Sequence, residues 1–137
     1  MIQGTTNIRV RYFDADPMGY CNNANYPKFY EIARDELFRE IGLPYTTVEK
    51  AGIMLPLADL NVRYIKPSHY DDLLTVTTMV KEYPTAKIRF DYTIRNQHNE
   101  VINEGFTTLV FVDIKTRKPV RMPPIVKEKI DPFFNIL

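Results

Sequence analysis

Two aspartates, Asp14 and Asp16, stand one residue apart in a polar segment that also carries Pro17, Gly19, Asn22, Asn23 and Asn25. A carboxylate held in such a segment can attack an acyl carbon as a nucleophile or take a proton from water as a general base. The same segment holds the single cysteine, Cys21. With no histidine close in sequence to act as its base, Cys21 reads as an inert small residue rather than a nucleophile. His69 falls at an expected strand connection and His98 in an expected hairpin turn, and both read as surface residues. Two histidines and one cysteine make no zinc-ligand set, so no metal is expected. A purely structural reading competes with all of this, because Asp, Pro, Gly and Asn are the residues that turns and helix caps require.

The elements on either side must position these groups. Before them, residues 6–13 alternate, with Ile8, Val10 and Tyr12 on one side and Arg9 and Arg11 on the other, which predicts a half-buried strand. After them, Tyr26, Phe29, Tyr30, Ala33, Leu37 and Ile41 recur at three- and four-residue intervals, which predicts a helix over about 24–41. Asn22, Asn23 or Asn25 can cap it, Pro27 fits its first turn, and Gly42 followed by Pro44 ends it. A short second helix is expected near 45–51. Strands follow at about 54–66, 72–82, 86–96 and 100–113, with Asn96 to Asn99 as a hairpin turn and a terminal helix near 125–130.

A helix of that length, about 27 Å at 1.5 Å per residue, has an apolar face that must be buried, and an antiparallel sheet curved around it does so. Such a sheet keeps an unpaired edge. Pairing of two copies along it predicts a homodimer, or a dimer of dimers.

Bulk composition narrows the partners. The chain has 137 residues, 45% hydrophobic and 26% charged, as expected of one globular domain spanning 1–137. Its 18 basic and 17 acidic residues are interspersed, which gives no reason to expect nucleic acid. The start of the chain lacks a signal-peptide pattern and no apolar run is long enough to span a bilayer, so a cytoplasmic protein with no membrane span is expected.

The segment VRYFDADPMGYCNNANYPKFYEIARDELFREIG resembles the signature of the hot-dog-fold thioesterases of the 4-hydroxybenzoyl-CoA thioesterase-like family: a strand ending in an aromatic residue, D-x-D-x-x-G, an asparagine-rich turn, and a helix beginning A-N-Y. RYIKPSHYDDLLTV and GFTTLVFVDIKTRKPVRMP are similar to later strands of that family. The resemblance implies an α+β hot-dog fold, a long central helix wrapped by a curved antiparallel sheet of about five strands. It implies hydrolysis of an acyl-CoA thioester with no cofactor, coenzyme A entering only as part of the substrate.

By position, it implies Asp16 as nucleophile or general base, Tyr12 as part of the active-site set, Asp14 as a residue that shapes the loop and Glu31 as a supporting residue. Where the family often has histidine at the start of the helix, this chain has Asn23. A helix N-terminus offers unpaired N–H groups and the positive end of a dipole where the tetrahedral oxyanion forms, and it favours a nearby ionised carboxylate. The backbone at Asn23 or its neighbours Ala24 and Asn25 is therefore the expected oxyanion site, the Asn23 side chain acting or merely capping, with Gly19 letting the main chain approach the substrate. Lys87 and Arg89 are candidate contacts for coenzyme A phosphates. Asn22 and Asn23 also resemble the turn of acyl-carrier-protein thioesterases of this fold, although Tyr20 and Cys21 stand where those have His and Val. A noncatalytic acyl-thioester or lipid-binding protein is the reading of another class. Dehydratases of the fold need a histidine, and none precedes His69.

Overall fold

The structure is a computed structural model that describes residues 1–136. It opens with β1 (Ile2–Arg9), passes through 3-10 turns at Tyr12–Asp14 and Asn23–Asn25, and enters the long helix α1 (Tyr26–Glu40). Then follow α2 (Tyr45–Lys50), β2 (Ile53–Met54), β3 (Leu57–Tyr64), β4 (Leu73–Val80), β5 (Lys87–Arg95), β6 (Val101–Val110), β7 (Val112–Asp113) and α3 (Pro124–Ile130). Five strands form one antiparallel sheet in the order β1-β4-β5-β6-β3, and β2 pairs with β7. This is the α+β arrangement of long helix and five-stranded sheet expected from the sequence.

The helical spacing becomes a buried stripe: Tyr26, Phe29, Tyr30, Ala33, Leu37 and Phe38 all face the sheet. They meet the inward residues of β4 and β5, among them Leu74, Val76, Ile88, Phe90 and Ile94, which alternate with partly or fully exposed neighbours. Gly42, at φ +85, ends the helix as its sequence predicts. Leu43 N–H donates to the Phe38 carbonyl at 2.8 Å and Gly42 N–H to that of Arg39 at 3.1 Å, which satisfies carbonyls the helix leaves open. Among the described residues no helix is long and apolar enough to cross a membrane.

Two boundaries differ from the sequence reading. The first strand begins at Ile2 and stops at Arg9, and Tyr12 belongs to a 3-10 turn, 79% exposed, instead of sharing a face with Ile8 and Val10. The cause is Asp14, whose carboxylate Oδ2 accepts the Arg11 N–H at 3.0 Å and whose own N–H donates to the Arg11 carbonyl at 3.0 Å, folding the chain back just after Val10, which still exchanges backbone hydrogen bonds with Asp71 and Asp72. The strand expected over 54–66 is broken into β2 and β3 at Leu55 and Pro56, since proline has no N–H for a ladder.

The helix side chain Tyr30 packs directly against the sheet at Gly105 on β6. Tyr30 and Tyr92 stack at 4.2 Å with ring planes 3° apart, and the Tyr30 hydroxyl donates to the Asn103 side-chain oxygen. A Cβ on Gly105 would lie 2.3 Å from the Asn61 carbonyl oxygen and 2.5 Å from the Tyr30 hydroxyl. Gly105→Ala should therefore lower the unfolding free energy by about 3 kcal/mol in a urea titration, since overpacking at fixed backbone typically costs that order; an unchanged midpoint would show that α1 is not seated this closely.

Candidate active site

Asp14 is the buried centre of the loop that follows β1, 2% exposed. Its Oδ1 takes a 2.5 Å ion pair from the Lys28 ammonium on the first turn of α1, while Oδ2 holds Arg11. Its carbonyl accepts both the Asn22 N–H and the Asn25 side-chain amide at 2.8 Å. One residue thus ties the end of β1, the asparagine turn and the helix together.

Asp16 lies on the exposed arm of that loop. Its Oδ1 accepts the backbone N–H groups of Met18 at 2.9 Å and Tyr20 at 3.0 Å, which fixes the carboxylate in place. Its Oδ2 receives no hydrogen bond from the described residues. Gly19 donates its N–H to the Asp16 carbonyl and sits at φ +84, where a side chain would have open space but a strained backbone. Its requirement is conformational, where the sequence reading gave close approach of the main chain as the reason. A cleft of about 410 Å³ opens on Asp16, lined also by Tyr12, Ala15, Pro17, Gly19 and Tyr70. Tyr12 and Tyr70 form its aromatic wall, edge to face at 5.6 Å.

At the start of the helix the N–H groups divide unevenly. Asn22 N–H is bound to Asp14, Ala24 N–H to the Asn22 side-chain oxygen at 3.0 Å, and Asn25 N–H to the Asn22 carbonyl at 3.0 Å. The Asn23 N–H alone among these four has no acceptor among the described residues. Asn22, not Asn23, is the capping side chain. Of the three neighbours expected to donate, Asn23 keeps a free N–H, while those of Ala24 and Asn25 are engaged and the Asn25 side chain serves the loop.

The remaining candidates sort by location. Cys21 is 5% exposed, and burial pushes its thiol above the ordinary value, as suits an inert residue. His69 is half exposed, its Nδ1 3.5 Å from Asp72 and its ring against Tyr20; His98 lies on the exposed turn that Asn96 closes by accepting its N–H at 3.0 Å. Glu31 is an exposed helix residue 3.9 Å from Arg34. Lys87 and Arg89 lie toward the far end of β5, since Arg95, not Lys87, is the end of that strand near the loop. At about 3.4 Å per residue they stand roughly 20–27 Å along the strand from Arg95. Arg89 is also committed to Asp91 at 3.0 Å and to the face of Phe106 at 3.8 Å.

Sequence reasoning missed Lys28, Tyr64 and Tyr70. Tyr64 and Tyr70 flank the K-P-S-H stretch of a segment already singled out, but nothing in that stretch shows that both fold onto the loop. The Tyr64 hydroxyl donates to the Asn23 carbonyl at 2.9 Å, and Tyr70 N–H donates to the Gly19 carbonyl at 2.8 Å.

The family model of the Thioesterase-like superfamily matches residues 10–130. A putative acyl-CoA thioesterase, YneP of Bacillus subtilis, is 33% identical over 114 residues, covering 83% of each chain. An acyl-acyl carrier protein thioesterase of Arabidopsis thaliana, ATL3, is 30% identical over 129 residues, 93% of this chain and 67% of that one. Among solved structures, a DHNA-CoA thioesterase from Staphylococcus aureus superposes with a TM-score of 0.84 at 33% identity, covering 98% of this chain and 85% of that one.

The Asp14–Lys28 pair gives a direct test of the loop. Lys28→Met leaves a buried carboxylate without its counter-charge and should cost about 2 kcal/mol in urea unfolding. Arg39→Met, which breaks an exposed pair with Glu36, should cost less than about 0.5 kcal/mol. Equal losses would mean that Asp14 does not organise the loop.

Proposed function

This chain belongs to the Thioesterase-like superfamily, and from that premise we propose that Asp16 drives the hydrolysis of an acyl-CoA thioester to a free acid and coenzyme A. The reading is supported by two groups of one loop clamped by Asp14: Asp16, which lines a cleft and whose Oδ2 takes no hydrogen bond from the described residues, and the Asn23 N–H, which has no acceptor among them.

As a general base, Asp16 takes a proton from water and the resulting hydroxide attacks the thioester carbon. As a nucleophile, it attacks that carbon itself and leaves a mixed anhydride for water to cleave. On either route the carbonyl oxygen becomes an oxyanion that the Asn23 N–H stabilises, and collapse expels the coenzyme A thiolate, which then takes up a proton. A thiol has a pKa near ~8.5, so the thiolate leaves without the strong acid help an alkoxide would need, and the absence of a histidine at Asn23 is tolerated. The reaction needs water and a carboxylate and no cofactor. Tyr12, with Tyr70, walls the cleft that receives the thioester.

An acyl-carrier-protein ester is the second reading, favoured by the Arabidopsis relative, because both carriers present the same pantetheine arm. We place the reaction in the cytoplasm, where acyl-CoA esters are made and consumed, and treat residues 1–137 as one catalytic domain.

The working unit is a homodimer or a dimer of dimers. Among the described residues β3 pairs only with β6, and its side chains Leu57, Leu60 and Tyr64 are 51%, 44% and 50% exposed, the profile of an edge that a second copy covers. Contacts from Lys87 and Arg89 to coenzyme A phosphates fall to a second copy, since within one chain they lie far along β5 from the loop.

Asp16→Asn should lower kcat by about 10²–10⁴-fold on the best member of a panel of aryl-, short- and long-chain acyl-CoA and acyl-carrier-protein esters. Undiminished turnover would remove Asp16 from the mechanism, and no turnover on any ester by the wild type would favour a binding protein. Label from ¹⁸O water in the Asp16 side chain after a single turnover marks the nucleophilic route with water attacking the Asp16 carbon of the anhydride, whereas label confined to the product acid is given by the general-base route and by water attacking the acyl carbon. In sedimentation velocity the wild type should run as a dimer or larger, and Leu60→Lys, which places a charge on the edge strand, as a monomer; a monomeric wild type would refute the dimer.

A further inference from the structure

We propose that Tyr64 is the positioning residue for the oxyanion donor: its hydroxyl, bound to the Asn23 carbonyl at 2.9 Å, holds the first peptides of the helix so that the Asn23 N–H stays aimed at the substrate. This inference rests on the thioesterase reading and adds a residue from a different part of the sheet to it.

The peptide joining Asn23 to Ala24 is held at both ends. Its carbonyl takes the Tyr64 hydroxyl, and its N–H donates to the Asn22 side chain at 3.0 Å. The preceding peptide, joining Asn22 to Asn23, is held only through its carbonyl, which accepts the Asn25 N–H at 3.0 Å. Its N–H is the free donor. Rotation of that donor is therefore resisted from one side by the asparagine turn and from the other by Tyr64. Without the hydroxyl, the Asn23 carbonyl would keep only the i→i+3 bond of its own 3-10 turn, and that exposed turn would lose its one tie to the sheet through this peptide.

Tyr64 is itself well placed to resist motion. It is the last residue of β3 and pairs with Asn103, the β6 residue that receives the Tyr30 hydroxyl. Its ring stands edge to face on Tyr26 at 5.4 Å, and the Tyr26 hydroxyl meets Ser68 at 2.8 Å. Ser68 in turn accepts the Cys21 N–H at 2.9 Å through its carbonyl. The strand end and the segment after it thus grip the helix start at Asn23, Tyr26 and Cys21. Tyr64 touches no substrate atom in this assignment; it acts through Asn23.

Tyr64→Phe removes the hydroxyl and keeps the ring on Tyr26. Wild type, Tyr64→Phe and Asp16→Asn would be compared in turnover of the best acyl-CoA ester, in inhibition by a trifluoromethyl ketone analogue of that ester, which forms a tetrahedral adduct, and in inhibition by its unreactive thioether analogue. Tyr64→Phe should lose about 10-fold in kcat with KM within about 2-fold, and about 10-fold in affinity for the ketone with none for the thioether. Amide hydrogen exchange at Ala24, read independently of activity, should rise about 10-fold. A kcat and ketone affinity equal to wild type, or equal losses on both analogues, would overturn the role of Tyr64 while an inactive Asp16→Asn leaves the thioesterase reading standing. An inactive wild type would instead refute that reading, and unchanged exchange at Ala24 would refute the positioning whatever the activity. A lower unfolding midpoint accompanied by a wild-type ketone-to-thioether ratio would mark Tyr64 as structural only.

Discussion

The carboxylate of Asp14 is taken out of water next to the ammonium of Lys28, and the geometry of the candidate site follows from that burial. A buried charge is costly unless it is paired and hydrogen-bonded, so every group that satisfies it is drawn to one place. Lys28 brings the first turn of α1, Arg11 brings the end of β1, and through the carbonyl of the same residue Asn22 and Asn25 bring the turn between them. Asp16 then projects from the far side of a loop whose base cannot move without exposing or unpairing Asp14. The two aspartates of the motif divide their work: one is consumed by structure so that the other can stay available.

The start of the helix obeys a related economy of hydrogen bonds. An α-helix leaves its first N–H groups without intrahelical partners, and a protein ordinarily caps them. Here the asparagine turn caps the surrounding N–H groups and spares the one at Asn23, which is exposed and can be satisfied by water until a ligand displaces it. A donor left free in a rigid frame costs little before substrate arrives and needs no rearrangement when charge develops, which is the condition for electrostatic stabilisation to favour the transition state. The hydroxyl of Tyr64 and the side chain of Asn22 hold the two ends of the peptide that follows this N–H.

The candidate site lies beside an edge of the sheet. β3 offers an unpaired ladder and exposed Leu57 and Leu60 at the same edge whose last residue, Tyr64, holds the helix start. Lys28 belongs both to the clamp on Asp14 and to a groove of about 360 Å³ between α1, Leu57 and Leu60. A second copy laid on that edge would also cover this groove, which shares no lining residue with the cleft at Asp16.

Much of this protein was legible in local pattern. The stripe from Tyr26 to Leu37 is a helix because its spacing is helical, Gly42 ends it because a positive φ is needed there, and β4 and β5 carry the alternation of an inward and an outward face. The D-x-D segment and the asparagine turn marked the stretch that folds into one loop around Asp14 and carries Asp16 beside a cleft. The error at Tyr12 has a local cause that spacing cannot register: alternation continues on paper past Arg9, while the Asp14 carboxylate has already turned the chain. Likewise Asn22, Asn23 and Asn25 are one residue type in one turn, and only their partners separate a cap, a free donor and a brace. Some of these partners come from afar, Asn25 reaching Asp14 across 11 residues and Tyr64 reaching Asn23 across 41. Sequence by itself determined which residues could do the chemistry, because that depends on side-chain type and short-range spacing. The tertiary structure decided which of them are free to do it, because a hydrogen-bonding group is free or engaged only according to what the fold brings next to it.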